Sequence, residues 1–430
     1  MSDLLVLDSA LLNYLALIVL ALFALYAATA LANNVRGAAL TERTMALEVD
    51  LLRERIGRVQ ARREFERAQN ELSWQGIRKF RVGRKVEEAD YVCSFYLMPH
   101  DERPLPPFQP GQYLTFKLDL PSMRRQATRC YSLSDGPRDE FYRVSIKRAP
   151  PPRDEAKADV GKSSSNYFHD GVEEGTILDV LAPGGDFFVD MTKQTPVVLI
   201  GGGIGVTPVL SMLNAIIDSG SRREVWFFLG VRNSAEHMFK THLEELARVN
   251  DNVHLQICYS NPEAGDVQGV DFQHQSRVGL DLFKEVLPSN NYDYYFCGPP
   301  PMMTSVYEGL ESWGVPDEHI HFEAFGPATV KRVSEAHEPA AAVPVGEISI
   351  TFARTEKSLI WDPAAGSLLE FAEANDIDME SGCRAGSCGT CETAVRSGEI
   401  DYLKQPNAHV GKGSCLTCIA VPKGDLTIDA

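Results

Sequence analysis

The chain has little of three things, and each absence narrows its function. It has no excess of positive charge: 42 Lys and Arg stand against 59 Asp and Glu, a net charge of −17 over 430 residues. Phosphates would be repelled, which excludes nucleic acid as a partner. Its nine cysteines fall into no regular pairs, so they form no disulfide framework, and a reducing compartment fits them. The segment before the first apolar run carries Asp3 and Asp8 but no Lys or Arg, where a cleaved secretion signal would be basic. No internal repeat is found, and a chain of this length is expected to hold two to four domains.

What is present begins with an uncharged run at residues 9–32, in which only Asn13 is strongly polar. At about 1.5 Å per residue it spans a hydrocarbon core of about 30 Å with some tilt. Arg36, Arg43, Arg53, Arg55, Arg58, Arg62 and Arg63 follow it, and the positive-inside rule then puts the C-terminal bulk in the cytoplasm. Ala30-Leu31-Ala32 would suit a cleavage site, but the flanking charges favour an uncleaved single-pass anchor over residues 1–35, in the inner cell membrane. Met45, Val49, Leu52, Ile56 and Val59 recur at alternating steps of four and three. That seam predicts an amphipathic helix over 36–75, packed on its own domain or pairing with another helix in an oligomer.

Beyond it the text changes twice. Residues 76–190 read as alternating strands such as YLTFKL (113–118) and YRVSIK (142–147), broken by Pro and Gly, which predicts an antiparallel β-barrel. Residues 191–327 alternate β-branched runs with helical segments, which predicts an α/β, doubly wound parallel sheet. Residues 328–345, rich in Ala, Pro, Glu and Val, read as a linker to a last domain at 346–430.

That last domain holds Cys383, Cys388 and Cys391 in CRAGSCGTC, then Cys418 in LTCIAVP. The spacing C-x4-C-x2-C with a distant fourth cysteine is that of a plant-type 2Fe–2S site. Zinc is the alternative, although it favours paired C-x2-C knuckles and the loop has one such pair. Cys415 competes with Cys418 for the fourth place: 23 residues separate it from Cys391, against 26 for Cys418.

Other motifs are compatible with cofactors. RCYSLS, at Arg129 to Ser134, combines a phosphate-binding guanidinium with a flat aromatic. SSSNYFHDGV, from Ser163, puts three hydroxyls at a predicted helix start, where free N–H groups suit a diphosphate. GGGIGVTP (201–208) follows a strand and opens a helix as a dinucleotide turn should, yet Val206 stands where G-x-G-x-x-G needs its last glycine.

Together with PGQYLTF (110–116), CGPPPMM (297–303) and FEAFGP (322–327), these motifs resemble the ferredoxin–NADP reductase superfamily. The domain order is similar to that of phthalate-dioxygenase and hybrid-cluster-protein reductases, with a β-grasp ferredoxin domain last. The resemblance implies that Arg129 pairs with the flavin phosphate, Tyr131 covers the flavin, and Ser132 bonds its N5 edge. The serine loop resembles that of flavohaemoglobin reductase domains, implying that Ser164 and Ser165 hold the FAD diphosphate; FMN is the alternative flavin. It further implies that Gly202, Gly203, Gly205 and Thr207 approach the nicotinamide nucleotide, joined by Cys297, Gly298 and Pro299. Cys297 would lie near the nicotinamide C4, Glu323 near the transfer site, and Phe325 on the flavin ring. Ser132, Cys297 and Glu323 are therefore the catalytic candidates. Arg232 and Arg277 are the cations available for a 2′-phosphate, but no tight basic pair follows the VHLQICYS strand, which favours NADH over NADPH.

NAD(P)H yields two electrons as a hydride, whereas the cluster takes one, so a flavin must divide the pair. The expected function is a membrane-anchored reductase feeding electrons from NADH through FAD and a 2Fe–2S cluster to a membrane-bound oxygenase or hydroxylase. A quinone reductase or respiratory subunit is the rival, although its ferredoxin domain would precede the flavin domain. A redox-sensing or zinc-held interaction module is the non-enzymatic alternative.

Overall fold

A computed structural model describes residues 9–120, 126–149, 164–325 and 348–430, except 385, 387, 404, 405, 407 and 409. The linker at 328–345, together with Gly326 and Pro327, lies outside the described residues. The chain divides into two units, Met1–Arg67 and Ala68–Ala430. The first consists of most of helix α1 (Ser9–Leu72). It contains a segment, Leu12–Asn34, with mean hydropathy 2.5, long and apolar enough to cross a membrane. Met45, Val49, Leu52, Ile56 and Val59 are all exposed on α1.

The second unit opens with a six-stranded antiparallel sheet. Its strands are β1 (Arg78–Ala89), β2 (Val92–Pro99), β3 (Tyr113–Leu118), β4 (Ala127–Ser132), β5 (Tyr142–Lys147) and β6 (Ile177–Gly184). They lie in the order β4-β3-β6-β1-β2-β5, and a bridge between Leu133 and Val144 joins the two edges into a barrel. Alternation along the strands sends Phe80, Val82, Phe95, Leu97, Leu114 and Phe116 inward, where all are fully buried. Helix α2 (Ser164–Gly171) adds Phe168 to this core, edge-on to Phe95, Phe116 and Tyr131.

Next comes a parallel sheet, β7 (Val197–Gly202), β8 (Val225–Val231), β9 (Val253–Tyr259), β10 (Asp293–Gly298) and β11 (Ile320–Ala324). Helices α3 (Val206–Asp218), α4 (Lys240–Val249), α5 (Leu280–Val286) and α6 (Pro300–Ser312) connect the strands. The order β11-β10-β7-β8-β9 reverses direction between β7 and β10. In such sheets ligands bind outside the carboxyl ends of the strands at this reversal.

A buried polar seam joins barrel and parallel sheet. Ser211 Oγ donates to the Asp135 carbonyl at 2.7 Å, and Asn214 Nδ2 donates to the Asp135 carboxylate at 2.7 Å. Asn214 Oδ1 in turn lies 2.9 Å from His242 Nε2. Arg143, on β5, stacks over Phe239 at 5.3 Å.

The last module is a five-stranded mixed sheet, β13-β12-β18-β14-β16. It is built from β12 (Ser349–Phe352), β13 (Lys357–Ile360), β14 (Glu392–Ser397), β16 (Ser414–Leu416) and β18 (Leu426–Ile428), with β15 (Ile400–Tyr402) pairing β17 (Ala420–Pro422) beside it. Helix α7 (Leu368–Ala374) is started by a capping box between Ser367 and Glu370 and buries Leu368, Leu369 and Phe371 on this module.

The parallel sheet carries an acid-sensitive element. His237 is buried, with Nδ1 2.8 Å from the Tyr259 hydroxyl, and burial, assisted by Lys240, pushes its pKa down from 6.5 to about 4. The unfolded chain therefore binds a proton in a range where the folded chain does not. Stability is full above the unfolded pKa and is lost as pH falls toward the folded one. From about pH 7.5 to about pH 5 this site should cost about 2 kcal/mol. Denaturant unfolding at the two pH values checks it: His237→Asn should remove that part of the pH dependence.

Candidate functional site

The carboxyl ends of β7 and β10 meet at the reversal point, and glycines make the meeting possible. A Cβ on Gly205 would run into the Cys297 carbonyl, and one on Gly202 would strike Met302 and Pro299. Gly203 has φ of +52°, a left-handed conformation that suits glycine. The two nucleotide motifs are thus one packed surface: GGGIG turns against CGPP, and α3 starts immediately beyond. Val206, the residue that breaks the glycine fingerprint, packs its Cα against Gly201, where a Cβ would meet it at 2.7 Å. Thr207 is buried and donates to the Ile204 carbonyl at 3.0 Å.

Cys297 is fully buried at the end of β10 and pairs in register with Glu323 on β11. Burial first, then the Glu323 carboxylate, pushes its thiol well above the ordinary range. It is a neutral thiol, not a thiolate. Phe325, just past β11, is exposed. Arg232 is engaged: it forms an ion pair with Glu236, whose carboxylate also lies 3.4 Å from Lys147 Nζ. A cation so neutralised adds little for a 2′-phosphate. Arg277 lies in a loop lining a separate groove with His274 and Ser276.

The flavin motif lies on β4, and its pairing with β3 sorts its residues. Direct partners share a face of the sheet; they are Leu114 with Tyr131, Phe116 with Arg129, Tyr113 with Ser132 and Thr115 with Cys130. On one face Tyr131 packs edge-on to Phe116 and Phe168 and donates to Ser164 Oγ at 2.9 Å. Burial, partly offset by that bond, pushes the Tyr131 hydroxyl up to about 12. Two motifs far apart in sequence are thereby joined, with half-buried Ser165 next on α2. Arg129 Nη1 donates to its neighbour's carbonyl, that of Thr128, at 2.8 Å.

On the other face, Ser132 and Tyr113 are buried side by side. The cysteine loop comes down on this face: a Cβ at Gly382 would lie 3.3 Å from Thr128 Cγ2. Burial first, then the thiols of Cys383 and Cys130, push the Tyr113 hydroxyl well above the ordinary tyrosine range. Sequence reading missed Tyr113, whose motif marks only a barrel strand.

The thiols fall into two pairs. Cys388 Sγ accepts from the Cys383 backbone N–H at 3.2 Å, and Cys383 Sγ accepts from that of Cys388 at 3.3 Å. Cys391 and Cys418 bring their sulfurs within 3.1 Å. Among the described residues no three metal-ligating side chains gather tightly enough to cage a single ion. Two thiol pairs suit a binuclear cluster, which takes two thiolates per metal, better than one zinc. Cys415 is fully buried on β16 and packs with Ile350, Phe371 and Leu426 in the hydrophobic core of the module.

Barrel, reversal point and paired thiols define an electron-transfer oxidoreductase that draws on a pyridine nucleotide. Comparison with known proteins agrees. A family described as the oxidoreductase NAD-binding domain matches residues 199–308, and the 2Fe-2S iron-sulfur cluster binding domain matches 353–423. A flavohemoprotein of Bacillus thuringiensis subsp. konkukian is 40% identical over 271 residues, 63% of this chain and 66% of that protein. The chain thus spans just under two thirds of that relative. The flavohem-like FAD/NAD binding domain of a Vibrio cholerae nitric oxide dioxygenase is 31% identical, with TM-score 0.51, covering 59% of this chain and all of that domain. Phthalate dioxygenase reductase is 26% identical, with TM-score 0.50, covering 84% of this chain and 99% of that one. The chain belongs to the ferredoxin–NADP reductase superfamily and carries a C-terminal plant-type 2Fe–2S ferredoxin domain. Its cofactors are FAD, NADH and the 2Fe–2S cluster.

The Gly205 contact yields a direct test. Gly205→Ala should force the β7–α3 turn away from Cys297, costing roughly 1–3 kcal/mol of stability. It should also raise KM for NADH. Chemical denaturation and steady-state kinetics measure the two effects.

Proposed function

We propose that this protein is a membrane-tethered reductase that takes electrons from NADH and delivers them to an oxygenase or hydroxylase in or at the same membrane. The observation that carries this reading is the shared wall between β4, with the flavin motif, and the cysteine loop, which touch at Thr128 and Gly382. A flavin held by Arg129, Tyr131 and the α2 serines would supply two-electron hydride acceptance and one-electron release, matching a nicotinamide donor to a one-electron cluster. The match to phthalate dioxygenase reductase over nearly all of its length supports an oxygenase as acceptor. The Leu12–Asn34 segment supports the tether, with the soluble unit on the cytoplasmic side.

In this reading Arg129 holds the flavin phosphate, Ser164 and Ser165 its diphosphate, and Tyr131 and Ser132 its ring system. Gly202, Gly203, Gly205, Thr207, Gly298 and Pro299 form the nicotinamide nucleotide surface. Cys297 and Glu323 shape the transfer site, and exposed Phe325 is available to stack on the flavin. Arg232 borders the nucleotide, and its pairing with Glu236 favours NADH. Cys383, Cys388, Cys391 and Cys418 hold the cluster. The exposed seam of α1 offers a surface for helix-mediated self-association.

NADH-driven reduction of acceptors in native membranes, with the full chain and with residues 1–35 removed, tests the tether. Truncation should slow it, and equal rates would remove the case for a shared membrane. Cys418→Ser should abolish bound iron and acid-labile sulfide, while Cys415→Ser should keep both. Loss of iron from the Cys415 variant alone would reverse the ligand assignment.

A further inference from the structure

Tyr113 is tightly held by its surroundings. It is only 5% exposed. Its ring lies so close to Gly185 that a Cβ there would meet it at 2.7 Å. Through β3–β6 pairing its backbone is tied to Gly184, and through β3–β4 pairing to Ser132. A buried tyrosine ordinarily gives its O–H a partner. Here the hydroxyl bonds to no described nitrogen or oxygen atom, and the group it faces is the Cys383 sulfur, with Cys388 nearby.

A neutral thiol is a weak acceptor. A metal-bound thiolate carries negative charge and accepts far better. The hydroxyl therefore suits a cluster-bound thiolate better than a free thiol. The loop approaches the same face of β4 at Gly382, where a Cβ would lie 3.3 Å from Thr128 Cγ2.

We propose that Tyr113 donates a hydrogen bond to the Cys383 sulfur of the loaded cluster and so raises the cluster's reduction potential relative to the flavin. The inference rests on Cys383 being a cluster ligand. Reduction adds one electron and one negative charge to the cluster, with no bond broken and no proton moved. A donor at a ligand sulfur stabilises the more negative form more. Tyr113 is a positioning and tuning residue, and its cross-strand neighbour is Ser132 of the flavin motif. Side chains so paired have Cβ atoms only about 5 Å apart. One strand pair thus links the flavin motif to the electron's exit.

The test uses full-length holoprotein carrying flavin and cluster. Tyr113→Phe keeps the ring and removes the donor. Iron, sulfide and flavin contents should match wild type, and the flavin midpoint potential should stay. The cluster midpoint, followed by its paramagnetic resonance signal during redox titration, should fall by about 59 mV, a tenfold change in the one-electron equilibrium. Replacing Tyr113 with a ring-fluorinated tyrosine, a stronger donor of nearly the same shape, should move it upward, which keeps the test alive if the Phe variant folds poorly. A cluster potential unchanged in both variants overturns the proposal, as does a shift confined to the flavin. Absence of iron from the wild type would instead overturn the ligand assignment, and this inference with it.

Discussion

The pairing of β3 with β4 is the constraint on which the rest of the second unit depends. An antiparallel pair sends directly opposed residues to the same side, so two sets of chemistry are sorted without further instruction. Tyr131, Arg129 and their partners Leu114 and Phe116 go one way, toward α2 and its serines. Ser132, Tyr113 and Thr128 go the other, toward the cysteine loop. A slip of one residue would exchange the two sets and destroy both surfaces. The buried aromatic contacts of Phe116 with Tyr131 and Phe168 oppose such a slip.

The parallel sheet is fastened differently. Its internal fit at the reversal point is steric, made by glycines that admit the opposing backbone. Its attachment to the barrel is polar, made by Asp135, Ser211, Asn214 and His242. A polar seam demands correct geometry, because any member left unpaired inside it would be expensive. It therefore sets one orientation of nucleotide surface against flavin strand, which apolar contact alone would specify less sharply.

The local patterns were legible in the text. YLTFKL, YRVSIK and VHLQICY became strands at the expected bounds, because alternation or β-branching is written residue by residue. The cysteine spacing alone is that of a cluster loop. What depends on pairing was hidden. No sequence signal says that β6 lies between β3 and β1, or that Tyr131 meets Ser164. The ambiguity between Cys415 and Cys418 is of the same kind. Both lie in one short stretch, and only the turn after β16 separates the residue that packs inward from the one that meets Cys391. Tyr113 was invisible because its importance comes from a loop some 270 positions away.

The closeness of Cys391 to Cys418 has a consequence for how the protein is made. Two sulfurs at 3.1 Å are already near enough for an oxidant to join them as a disulfide, removing two electrons and two protons. Iron delivery and oxidation therefore compete for the same pair. A reducing compartment would keep the pair as thiols. A metal bound to the pair would take both thiols out of that reaction.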